Sequence, residues 1–125
     1  MATNHHPNST RLFIDTSVLF AASHSQTGTA RDLLVAGILG HVTLVISPFV
    51  IDETRRNLSR KSPHALPFFE AFLTRGLVHT VEPPAALVRQ AASINAYNDA
   101  EIVAGAVHAG ATFLATYDYK DLLSK

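Results

Sequence analysis

Four acidic residues stand where the pattern around them asks for an apolar or a capping residue: Asp15, Glu53, Asp99 and Asp118. Local inconsistencies of this kind tend to mark function. Asp15 directly follows the apolar run Leu12 to Ile14, and Asp118 lies just past the run Thr112 to Thr116. In open parallel sheets, ligands gather outside the carboxyl ends of strands, so both addresses are privileged. Glu53 falls on the helical stripe of Phe49, Val50, Thr54 and Leu58, which points it inward, while its neighbour Asp52 falls beside Pro48, Arg55, Arg56 and Ser59 on the solvent side. Asp99 stands in line with Ile102, Val103 and Ala106 at a helix start. Taken singly, Asp15 and Asp99 read as helix N-caps and Asp118 as a turn residue. Glu53 resists such a reading, because an unpaired carboxylate on an apolar stripe is costly and the inward face offers it no basic partner.

If the four acids converge, their mutual repulsion calls for a divalent cation. Carboxylate oxygens suit Mg2+ or Mn2+, which keep several waters and bind beside substrate phosphates. The chemistry this implies is metal-assisted hydrolysis of a phosphodiester, with no histidine base and no nucleophilic serine required.

The elements that must position these acids alternate: short β-rich runs precede longer helix-like runs, which predicts an α/β fold with a parallel sheet and helical crossovers. The strands are expected at Leu12 to Ile14, Val42 to Ile46, Leu77 to Val81 and Thr112 to Thr116. Helices are expected after Asp15, with Thr16 or Ser17 as cap, at Thr29 to Leu39, and from Ser47-Pro48 to about Leu58. Further helices are expected around Phe68 to Leu73, at Ala85 to Ala96, and at Asp99 to Ala109. Ser59 to Pro67 reads as a loop and residues 1–10 as a disordered lead-in, leaving residues 11–125 as one domain.

Composition narrows the partners. With 47% hydrophobic and 16% charged residues, the chain has the makings of a compact globular protein. The absence of cysteine removes disulfides, thiolate catalysis and Cys-based zinc sites. Ten basic and ten acidic residues cancel, so contact with nucleic acid must be local, for example through Arg55, Arg56, Arg60 and Lys61, which follow Glu53. A solvated helix face explains those four cations equally well. No run approaches the roughly 20 apolar residues of a membrane span and no signal peptide leads the chain, so a cytoplasmic protein with no membrane partner is expected. His5 and His6 read as incidental; His24, His41, His64, His79 and His108 lack the paired spacing of zinc proteases.

Three stretches carry a resemblance: Leu12-Phe13-Ile14-Asp15-Thr16-Ser17-Val18-Leu19, Ser47-Pro48 through Glu53-Thr54-Arg55-Arg56-Asn57-Leu58, and Asn98-Asp99-Ala100 through Thr116-Tyr117-Asp118. With them the chain resembles the PIN-domain family, above all the VapC-like toxins of toxin–antitoxin systems. The resemblance implies a three-layer α/β/α fold with helices on both sides of a parallel sheet in the order 3-2-1-4. The family's usual fifth strand is expected to be missing, which makes strand four an exposed edge. It further implies that Asp15, Glu53, Asp99 and Asp118 bind the metal, with Ser17 or Thr116 as polar support and Asp121 as an extra acid. RNA is the implied substrate, an antitoxin the implied partner, and a homodimer the implied assembly.

Two rival readings remain. Asp15 could be a phosphate-accepting aspartate, but a haloacid-dehalogenase-like phosphatase places a second Asp two residues on, where Ser17 stands. A degenerate or truncated PIN module could bind RNA or protein without cleaving it.

Overall fold

The computed structural model describes residues 10–94 and 96–117. His5, His6, Asp118 and Asp121 lie outside the described residues.

The sheet is built from β1 (Arg11–Ile14), β2 (Thr43–Ile46), β3 (His79–Thr80) and β4 (Phe113–Ala115), all parallel, in the order β3-β2-β1-β4. All four residues of β2 are buried, as expected of a strand covered on both faces. The helices are α1 (Thr16–His24), α2 (Thr29–Ile38), α3 (Pro48–Lys61), α4 (Leu66–Thr74), α5 (Ala85–Ala92) and α6 (Tyr97–His108).

The pairing register decides the layering. Phe13 pairs with Val45 and Leu12 with Leu44, so Phe13 and Leu44 point to opposite faces of the sheet. A β-carbon added at Gly105 of α6 would fall 2.7 Å from the Phe13 ring, and one at Gly37 of α2 would fall 2.3 Å from Leu44. One helix therefore approaches each face at a glycine, because only a residue without a side chain lets the backbone come so near. The result is the three-layer α/β/α arrangement that the resemblance implied. Its core is one continuous cluster including Phe13, Ile14, Leu19, Leu34, Leu44, Ile46, Leu58 and Phe69.

Several expectations need correction. The cap of α1 is Asp15, and neither Thr16 nor Ser17 fills that place: Asp15 holds the extended backbone of an N-cap and its side chain accepts from the Val18 N–H. The expected loop from Ser59 to Pro67 is largely helical. α3 continues to Lys61, with Arg60 and Lys61 in its last turn, where cations suit the helix dipole. A short 3-10 turn at Pro63–Ala65 then leads into α4, with Pro67 in its first turn. Both prolines occupy helix-starting positions, where their missing N–H costs nothing. β3 is shorter than the run from Leu77 to Val81, although the Val81 N–H still donates to the Ile46 carbonyl at 2.9 Å. α6 begins two residues before Asp99, at Tyr97, with Ala96 as its N-cap. Its most buried residues include Ala100 and Ala104, because α5 packs on a second side of the helix.

β4 lies at the sheet edge, and Phe113 on it is 63% exposed. No fifth strand occurs among the described residues. Within the same residues, no helix is long and apolar enough to cross a membrane.

Candidate metal centre

The site begins at the junction of β1 and α1. β1 is apolar and buried at its end, and Asp15 breaks out of the sheet as the helix cap, 4% exposed. Oδ1 of Asp15 accepts from the Val18 N–H at 3.1 Å and from the Ser17 hydroxyl at 2.7 Å. A nearly buried carboxylate is tolerable here because two donors and the positive end of α1 face it. Ser17 Oγ in turn accepts from the Tyr117 N–H at 2.9 Å, and the Asp15 N–H donates to the Ala115 carbonyl at 3.2 Å. The chain leaving β4 is thus fastened to the start of α1.

α3 supplies the second acid. Ser47 caps it by accepting from the Val50 N–H, Pro48 stands in the first turn, and Val50, Thr54 and Leu58 are fully buried. Glu53 borders that stripe, half-buried, and its Oε1 accepts from the Thr16 hydroxyl at 2.5 Å. Thr16 is the chain neighbour of Asp15, so one short hydrogen bond brings Glu53 to the end of β1. Asp52 faces solvent, as its spacing indicated. The Thr54 hydroxyl is buried with no partner among the described residues.

Asp99 is reached through the packing of α6. The Arg11 Nε donates to the Ala109 carbonyl and Gly105 lies over Phe13, so α6 runs antiparallel to β1. Asp99 precedes Gly105 by six residues, about 9 Å along the helix. Asp15 follows Phe13 by two residues, about 7 Å along the strand. Both acids therefore lie toward the same end of the sheet. Asp99 is half-buried in the first turn of α6 and is not its cap, which removes the simplest explanation for an acid there. Among the described residues, no group of three or more His, Asp or Glu side chains is close enough to hold an ion. The structure bonds Glu53 to Thr16, the chain neighbour of Asp15, and leaves Asp99 at the same end of the sheet without a described bond to either acid; Asp118 and Asp121 lie outside the described residues.

A cavity of about 440 Å³ opens beside Glu53, lined by Thr16, Ser17, Phe20, Glu53, Asn57, Lys61 and Tyr117. Of the four cations that follow Glu53, Lys61 reaches it. Arg60 donates to the Asn57 side-chain Oδ1 at 3.0 Å, and Arg56 is exposed. Arg55 turns away to Glu70, with Nε and Nη2 donating to the two carboxylate oxygens at 2.6 and 2.9 Å. Thr116 is half-buried and lines a separate cavity with Val18 and Leu33. Sequence reasoning missed Thr16 as the partner of Glu53, a contact across 37 positions that no local pattern announces. It also missed Asn57, which the helical spacing of four from Glu53 could have found.

The Arg55 hydrogen bonds, aided by its charge, hold the Glu70 carboxyl below its ordinary value of 4.5 and raise the Arg55 guanidinium. A lowered folded-state value means that the pair stabilises the fold above the ordinary glutamate range, and that this contribution disappears as pH falls through the folded value. Both side chains are more than 40% exposed, so the contribution is about 0.5 kcal/mol. Urea unfolding of Glu70→Gln should accordingly show a small deficit against wild type at pH 7 that shrinks as pH falls below the ordinary glutamate range; a deficit that does not shrink would assign it to packing.

The sequence model of the PIN domain matches residues 12–124. Among solved structures, the crystal structure of Mycobacterium tuberculosis VapC20, a toxin that cleaves the sarcin-ricin loop, aligns with a TM-score of 0.71 and 22% identity. The alignment covers 90% of this chain and 94% of VapC20. At that identity the likeness is one of fold. No curated protein matches the chain by sequence.

Proposed function

The chain belongs to the PIN-domain family, and from that premise we propose that it is a divalent-metal-dependent endoribonuclease, the toxin of a toxin–antitoxin pair. The observation that carries the reading is the hydrogen bond that ties Glu53 to Thr16, next in the chain to the nearly buried Asp15, at the carboxyl end of a parallel sheet. No basic side chain is ion-paired with either acid among the described residues. The donors present are carboxylate and hydroxyl oxygens, a set that fits Mg2+ or Mn2+ and does not fit a soft metal.

In this reading Asp15 and Glu53 hold the ion, and Asp99 and Asp118 complete its acidic surroundings. Ser17 aims the Asp15 carboxylate and Thr16 aims Glu53, so each acid is oriented before the ion arrives. When bound, the cation supplies Lewis acidity toward phosphate oxygen and water. Lys61, together with Arg56 and Arg60, offers positive charge to the phosphates on either side of the scissile bond. The fold shared with VapC20, a toxin that cleaves the sarcin-ricin loop, supports RNA as the substrate class; an antitoxin partner, a homodimer and a cytoplasmic location belong to the same proposal.

The test is cleavage of end-labelled RNAs, including a fragment carrying the sarcin-ricin loop, with Mg2+, with Mn2+, and with a chelator. Internal cuts that need added metal are the expected result. Metal-independent RNA binding without any cut would instead establish a binding module, the reading favoured by the lack of a third acid beside Asp15 and Glu53 among the described residues.

A further inference from the structure

α1 and α3 lie side by side in the same direction, as two hydrogen bonds show: Thr16 to Glu53 at one end, and His24 Nδ1 with Ser62 Oγ at 2.6 Å at the other. Between these ends the facing residues recur every four positions, Thr16, Phe20 and His24 on α1 and Glu53, Asn57 and Lys61 on α3. Thr16, Phe20, Glu53, Asn57 and Lys61 line the same open cavity. The groove is therefore polarised. Its inner end carries the Glu53 carboxylate, and its outer end, eight residues or about 12 Å along α3, carries Lys61. Arg60, tied to Asn57, stands beside that end.

Phe20 is the anomaly in this groove. Apart from Tyr117, whose ring is exposed at the rim, its other neighbours offer a carboxylate, an amide, an ammonium and hydroxyls, so water would be expected to fill it. Yet a half-buried phenyl ring forms part of the wall, backed by the His24 ring stacked at 5.7 Å with planes 17° apart. His24 itself is braced by Ser62, a hydroxyl 1% exposed, and by the edge of His64. A braced aromatic surface between a metal-binding acid and a cation suits a ligand that is flat and apolar on its faces and anionic along its backbone.

We infer that Phe20 is the stacking platform for an unpaired nucleobase next to the scissile phosphate, with Lys61 holding the phosphate beyond it. This deepens the ribonuclease reading and rests on it. The base at this position must be unpaired, because a base held in a duplex cannot turn its face to a protein ring. Phe20 is here a positioning residue: it orders the strand and touches no reacting atom.

The experiment uses the full chain carrying Asp15→Asn to block cleavage, and measures binding of a short single-stranded RNA and of the same sequence in a duplex. Phe20→Leu keeps apolar bulk but removes the ring, and should weaken single-strand binding about 5- to 150-fold, the range for loss of one stacked base, with little change for the duplex. Its salt dependence should match the parent, whereas Lys61→Gln should reduce the slope of log Kd against log salt by about 0.7, the loss of one phosphate contact. The chain contains no tryptophan, so Phe20→Trp places a single fluorophore at the platform. Its emission should be quenched by single-stranded RNA, and this readout stands even if the leucine variant folds poorly. Unchanged affinity in a folded Phe20→Leu variant, or an unquenched Phe20→Trp variant that still binds RNA, overturns the platform and leaves the ribonuclease reading intact. Failure of the wild-type chain either to bind or to cut any RNA overturns both.

Discussion

Asp15→Asn is expected to lower metal-dependent RNA cleavage by about 100-fold or more, since loss of even an outer partner of a metal ligand costs about 10- to 100-fold. The fold should survive the change. Asn is as good an N-cap as Asp, and its side-chain oxygen can still accept from the Val18 N–H and the Ser17 hydroxyl. Thermal unfolding without metal should therefore stay within a few degrees of wild type. Addition of Mn2+ should raise the melting temperature of the wild type and not that of the variant, because an ion bound only by the folded state stabilises it by mass action. Asp15→Ala separates the two roles of this residue: it also loses the cap and should cost about 1 kcal/mol of stability. An asparagine variant that cuts RNA at the wild-type rate would detach Asp15 from the chemistry and leave it a cap alone.

The second large effect concerns the layer that carries Asp99 to the sheet. Phe13 is fully buried, and its ring is what Gly105 of α6 rests upon. Phe13→Ala should destabilise the protein by about 3–5 kcal/mol, a large part of the 5–15 kcal/mol available to an ordinary domain. Denaturant unfolding followed by circular dichroism measures this directly. The same contact predicts a coupling. Gly105→Ala improves helix propensity by about 1 kcal/mol, yet it should destabilise, because the new methyl meets a ring that the core cannot let move. Phe13→Leu in the same chain should recover part of the loss. Strictly additive effects of the two substitutions would mean that helix and strand do not bear on one another at this point.

Much of this protein is legible along the chain. The apolar run ending at Asp15, the Ser47-Pro48 start signal and the stripe that turns Glu53 inward and Asp52 outward are local periodicities, and the structure reproduces them. The run from Ser59 to Pro67 was not legible as helix, because prolines and polar residues punctuate loops and also open helices, and only the packing of α3 and α4 selects between the two. The cap of α1 was legible as a cap but not as one residue, with Asp15, Thr16 and Ser17 all eligible: hydroxyls and carboxylates serve equally, and the end of β1 decides that Asp15 is the one left in extended backbone.

What the order of residues determined by itself is the inventory: a cysteine-free, neutral α/β chain with acids where strands end. Those facts depend on side-chain type and spacing, which are properties of neighbours in the chain. Only the tertiary structure decided that Thr16 bonds Glu53, that Ser17 fastens the chain at Tyr117, that Arg55 is spent on Glu70, and that Lys61 reaches the cavity. Each of those is a meeting of segments brought together by sheet order and helix crossing. Such meetings are set by the burial of apolar faces over the whole domain, and no window of sequence contains them.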